Sequence, residues 1–151
     1  MERLAALLAA AIAAAGSPAA QPQGRPLSCV PAPTCGCGIV VSGNACPNGG
    51  VHFFHELADG APLQFDAGQG VVTATSNRAR TNAFGRGPGE SWTETYRHGG
   101  VDIEVRYSPG PNTCPMLPQG EQCEYFDVRA RVLISGPEGT RSYSGVGACG
   151  C

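Results

Sequence analysis

Two stretches, Val101-Asp102-Ile103-Glu104-Val105-Arg106-Tyr107 and Phe126-Asp127-Val128-Arg129-Ala130-Arg131-Val132, alternate apolar and charged side chains without a break. Successive side chains on a strand point to opposite faces, so each stretch reads as a strand with one apolar and one charged face. Set antiparallel so that paired residue numbers sum to 233, they bring Asp102 opposite Arg131, Glu104 opposite Arg129 and Arg106 opposite Asp127. The apolar faces then match Val101 with Val132, Val105 with Val128 and Tyr107 with Phe126. Slipping the pairing by one residue would set charges against apolar groups, which specifies the register.

The pattern extends in both directions. Gly99-Gly100 suits a two-residue hairpin turn, because both central positions of a type I′ turn need positive φ. That turn pairs Trp92 with Tyr107, Tyr96 with Ile103 and Arg97 with Asp102, and it sets Glu94 opposite Val105 on the apolar face. An unpaired carboxylate is seldom buried, so Glu94 belongs at a sheet edge or end, with a polar site residue as the alternative. Downstream, Ser135-Gly136-Pro137-Glu138-Gly139 turns the chain into a last strand from Thr140 to Ala148, giving a meander of four strands. Upstream, short β-like runs over 39–41, 51–57, 63–66 and 71–76 alternate with Gly/Asn/Asp turns. The fold class is therefore all-β, a small antiparallel sandwich or barrel ending in a four-strand meander and stapled by disulfides.

Composition points the same way. The 151 residues include 22 Gly and 13 Pro, too many helix breakers for a bundle or coiled coil. A net charge of −2, with ten basic residues that are all Arg, gives no basic excess for a nucleic-acid binder. Residues 1–20 read as a signal peptide: Arg3 precedes an apolar run from Leu4 to Ala15, too short to span a bilayer, and small residues follow. Residues 21–38, with Pro22, Pro26, Pro31 and Pro33, read as an extended arm, and 39–151 as a single β domain. The expected location is the periplasm or the medium, with no membrane anchor after cleavage.

Cysteines in such a compartment pair. The eight are Cys29, Cys35, Cys37, Cys46, Cys114, Cys123, Cys149 and Cys151. Cys114 and Cys123 flank a turn-rich stretch and are expected to close it. Cys35-Gly36-Cys37 and Cys149-Gly150-Cys151 each present two sulfurs on one face of a strand, so neighbouring first and last strands would be stapled at this point. The same four sulfurs offer an alternative, a thiolate site for zinc or Cu(I), although the ligand spacing departs from that of ordinary zinc sites. A strained, redox-active Cys-Gly-Cys pair is the third reading.

Other constellations carry less. His52 and His55 are three apart on a strand and face opposite ways, so they cannot share an ion without a bulge, and two half-exposed histidines are expected. His98 flanks the Gly99-Gly100 turn. Arg78, Arg80 and Arg86 suit a solvated face better than an anion site. With no hydrolase elbow and no phosphate-binding loop, a binding or structural module without cofactor or catalysis is expected, its ligand a protein or carbohydrate. A small secreted enzyme using Glu94, His52, His55 or His98 as acid or base is the remaining alternative.

Overall fold

The computed structural model describes residues 27–32, 35–58, 60–77, 91–110 and 125–150. Residues 1–20, read as a leader, the arm before Leu27, the Arg78–Arg80–Arg86 stretch, Cys151 and the segment holding Cys114 and Cys123 lie outside the described residues.

The chain forms a closed antiparallel barrel of eight strands in which each strand pairs with its neighbours in sequence. They are β1 (Gly36–Val41), β2 (Phe53–Glu56), β3 (Leu63–Asp66), β4 (Val71–Ser76), β5 (Trp92–His98), β6 (Val101–Pro109), β7 (Tyr125–Gly136) and β8 (Gly139–Gly150). Closure comes from β1 lying antiparallel to β8, with Cys37 opposite Cys149 and Val41 opposite Gly145. A closed sheet leaves no row of unpaired backbone groups along an edge. Between sandwich and barrel, the sequence pattern left the choice open; the barrel is what forms.

The hairpin at Gly99-Gly100 forms as the pattern predicts. Both glycines have positive φ, 53° and 80°, and Trp92 pairs with Tyr107, Glu94 with Val105 and Arg97 with Asp102. Arg97 closes a bidentate contact on Asp102, Nε at 2.8 Å and Nη2 at 3.2 Å. That hydrogen bond is the main reason the Asp102 carboxyl is held below the usual carboxylate range.

The β6–β7 register is a correction. Asp102 faces Ser135, Glu104 faces Leu133 and Arg106 faces Arg131, so paired numbers sum to 237 rather than 233. A four-residue slide preserves which side chains point inward, so alternation alone could not exclude it. It extends β7 to Gly136 and brings Ile134 opposite Ile103 and Val132 opposite Val105. The tight β7–β8 turn then stands level with the β5–β6 turn, where Gly136 lies against Val101. Extra apolar burial at this end outweighs a row of exposed ion pairs, which contribute little in water. The displaced charges find other partners: Arg106 Nε pairs with Glu104 on its own strand, and Arg131 Nε donates to Ser142 Oγ at 3.1 Å.

Inside the barrel, Ile39, Phe53, Leu63, Ala74, Tyr96, Ile103, Val105, Tyr107, Val128 and Val132 form one core. The segment read as an arm, 21–38, contributes more than an extended lead. Its last residues, from Gly36 on, are already β1. Further upstream, Ser28 bridges to Asp66 and Val30 to Val51, so the chain runs as a strap over the outside of β2. Val30, Val51 and Phe54 make a second small core beneath it.

Candidate functional site

Three places gather chemistry-bearing groups: the barrel interior, the strap, and the barrel mouth at the end bearing the β3–β4, β5–β6 and β7–β8 turns.

In the interior, alternation along β5 turns Trp92, Glu94 and Tyr96 inward. Glu94 is 8% exposed and lies on the inner wall of the closed sheet. Its Oε2 accepts a hydrogen bond from the Tyr96 hydroxyl at 2.8 Å. Beside this pair, His55 Nε2 lies 2.7 Å from the Tyr107 hydroxyl and Nδ1 lies 3.1 Å from the Glu56 carbonyl oxygen. A carbonyl oxygen only accepts, so Nδ1 carries the proton and, in the neutral ring, Nε2 accepts from Tyr107. Trp92 stacks on Tyr107 with ring centroids 4.7 Å apart. Replacing Tyr107 with Phe deprives Nε2 of its hydroxyl donor, and the unfolding free energy should fall by about 1–3 kcal/mol. An unchanged midpoint in urea denaturation would mean that this hydrogen bond contributes nothing to stability.

The two histidines do face opposite ways, His55 into the barrel and His52 outward. Neither is half-exposed: His52 is 1% and His55 0% exposed. The closed barrel buries His55, and the strap, which covers the outer side of β2, buries His52. His52 Nδ1 accepts the Val41 backbone N–H at 3.0 Å, and burial holds the ring's pKa below the ordinary histidine value. Over the ring lies the Cys29–Cys46 disulfide. Cys29, Cys46 and His52 bring three donor atoms within 4.8 Å of one another, a triad that spacing alone did not reveal. As the chain stands it is not a metal centre, because both sulfurs are spent on their mutual bond and the nitrogen facing away from Val41 carries a proton.

Of the terminal sulfurs, Cys37 and Cys149 are joined, with Cα atoms 4.0 Å apart and both side chains fully buried. Cys35 is also disulfide-bonded. No free thiol occurs among the described residues. In this oxidised form the four-thiolate site has no ligands to offer at Cys35, Cys37 or Cys149. Disulfides of this kind are consistent with an oxidising compartment.

The mouth holds a cavity of about 390 Å³ lined by Leu27, Phe65, Val72, Val101, Ile103, Ile134 and Tyr143. Its rim carries His98 and Arg141, the latter 3.5 Å from the nearly fully exposed carboxylate of Glu138. His98 Nδ1 donates to the Thr73 carbonyl oxygen at 3.2 Å, tying β5 to β4 and aiming the ring at the rim. Sequence reasoning named His98 but missed the cavity. Its lining comes from the ends of strands far apart in the chain, and only the 237 register sets Ile134 beside Ile103. A shallower hollow of about 670 Å³ lies on the outer wall beside Val40, Phe54 and Val146.

The outer faces of β5, β6 and β7 carry Arg97, Asp102, Glu104, Arg106, Asp127, Arg129 and Arg131, a strongly charged wall.

Comparison with family models, curated proteins and solved structures finds no match.

Proposed function

We propose that the protein is an exported, disulfide-stabilised binding module that holds a small, mostly apolar molecule in the mouth of its barrel and carries out no catalysis. The observation that carries this reading is the cavity of about 390 Å³ at the barrel end, with an aliphatic and aromatic wall and a few polar groups at its rim. Ligand sites favour such mouths, where an apolar lining supplies affinity and sparse polar groups set orientation. An eight-stranded barrel is also the size at which the interior is either filled or left with room for one small ligand. Below the cavity the described core side chains, among them Tyr96, Tyr107 and Val105, occupy the interior, which favours an occupant at the mouth. Arg141, held only loosely by Glu138, suits a polar or anionic head.

The leader-like residues 1–20 and the disulfides together support export to the periplasm or the medium. A carbohydrate would need polar partners for most of its hydroxyls, and Leu27, Val72, Val101 and Ile134 supply none. A protein ligand would find the charged outer wall of β5–β7 more accessible than this recess. The interior acid and base, Glu94 and His55, are each held by a tyrosine hydroxyl inside the filled barrel, which supports a structural role for them.

Calorimetry with straight-chain carboxylates and alcohols of six to twelve carbons tests the reading. Affinity should rise about fourfold per added methylene until the cavity is full, the equivalent of about 0.8 kcal/mol for each buried CH₂. Ile134→Trp, which occupies the cavity, should abolish the binding. A set of sugars bound in preference, or chain-length dependence that survives Ile134→Trp, would overturn it.

A further inference from the structure

The two disulfides whose partners are both described differ in surroundings, and the difference is chemical. Cys37–Cys149 is sealed in the barrel wall, both residues fully buried. Cys29–Cys46 lies on the strap, with Cys29 exposed and Cys46 half-buried. Beneath it is the His52 ring, whose orientation is fixed. Because Nδ1 accepts the Val41 N–H at 3.0 Å, the proton of the neutral ring resides on Nε2. Cys46 Sγ lies 3.6 Å from both ring nitrogens, against the ring and not in line with the Nε2–H, and Cys29 Sγ lies 4.0 Å from Nε2.

We propose that Cys29–Cys46 is a site of thiol–disulfide exchange with a dithiol reductant, Cys29 being the sulfur attacked and Cys46 the leaving thiolate. Exchange requires an attacking thiolate to reach one sulfur and the other to depart with the bond's electron pair. Exposure makes Cys29 Sγ the reachable atom. A hydrogen-bond donor favours a thiolate, and the His52 ring lies closer to Cys46 than to Cys29, so a Cys46 sulfur released from the bond needs only a small turn to accept the Nε2–H, which favours Cys46 as the leaving group. In the first step one thiolate of the reductant bonds to Cys29 Sγ and the Cys29–Cys46 bond breaks, leaving Cys46 as thiolate. In the second, the reductant's other thiolate attacks its own sulfur in the mixed disulfide and expels Cys29 as thiolate. Two electrons pass from the dithiol, which ends as a disulfide, to the two cysteines, which take up two protons from water.

The strap would then be held by its backbone bridges at Ser28 and Val30 and by the small core around Phe54. Leu27, two residues before Cys29, lines the mouth cavity, so exchange loosens one wall of it. This last consequence rests on the ligand-binding reading; the exchange itself does not.

Reduced glutathione is the probe, because as a monothiol it leaves the first intermediate to be trapped. The native protein is incubated with it, acid-quenched, alkylated and mapped as non-reduced peptides. The expected product carries glutathione on Cys29 and a free thiol at Cys46, with Cys37–Cys149 intact. Glutathione on Cys46 in place of Cys29, or Cys37–Cys149 opening as fast as Cys29–Cys46, would overturn the proposal. His52→Gln should slow the appearance of the Cys29 adduct about threefold by raising the leaving thiol's pKa. An unchanged rate in a folded variant would overturn the part given to His52, and if the variant does not fold, mapping of the native protein decides. No ligand enters the measurement, so its outcome is the same whether or not the mouth binds one.

Discussion

A variant with Cys149 and Cys151 both replaced by serine is expected to lose about 4–5 kcal/mol of stability and about 15–20 °C in melting temperature. The Cys37–Cys149 bridge closes a loop of 112 residues, and constraining so long a loop in the unfolded chain gives the larger part of that figure in the chain-entropy treatment. It also pins the two strands that close the barrel, the first and last of the eight described. Replacing Cys29 and Cys46 should cost less, about 3 kcal/mol, because the loop they close spans only 17 residues. Thermal unfolding of the two double variants, monitored by circular dichroism, orders them. Equal losses, or a larger loss for Cys29 and Cys46, would show that the terminal staple is not the dominant restraint.

The second large effect is expected at Gly147, which lies opposite Ile39 across the closing seam. A Cβ on Gly147 would overlap the backbone carbonyl oxygen of Gly38, and one on Gly145 would overlap that of Val40. These obstacles are backbone atoms of the partner strand, so no rotamer change relieves them and the strands must part. Gly147→Ala should cost about 3 kcal/mol or more, the range of severe overpacking. Ser144→Ala, exposed on the same strand, should change stability by less than about 0.5 kcal/mol. Urea midpoints measured side by side give the comparison. A Gly147→Ala protein as stable as the parent would mean that the seam is looser than its Cα spacing of 4.0 Å at Cys37–Cys149 implies.

What the sequence made legible was local. The Gly99-Gly100 turn and its pairings could be read because a two-residue hairpin fixes register through φ alone, at residues adjacent in the chain. The β6–β7 pairing could not, because a long connection sets no register, and patterning excludes only slides by an odd number of residues. Complementary charges pointed to the wrong even slide: their energy in water is small beside the burial of Ile134. The Cys37–Cys149 staple was legible as a meeting of chain ends, since matched spacing on two strands presents sulfurs on matching faces. The strap was not. Proline spacing showed an extended segment but not what it crosses, so His52 looked half-exposed when Val30 and Cys29 in fact cover it. The mouth cavity depends on strand ends meeting across the whole barrel, for which no short stretch of sequence carries a signal.

Closure by β1 against β8 also sets the order of events in folding. Every other strand pair joins neighbours in sequence, and such contacts can form early and locally. The closing pair unites positions more than a hundred residues apart, such as Cys37 and Cys149, so it forms last and at the greatest cost in chain entropy. A chain emerging N-terminus first from a ribosome or a translocation channel therefore remains an open sheet with two bare edges until β8 is free. During that interval it is prone to pair with other copies through those edges, and the last strand acts as the stopper that ends the hazard. Nascent chains halted before Gly139 should accordingly aggregate, whereas full-length chains should not.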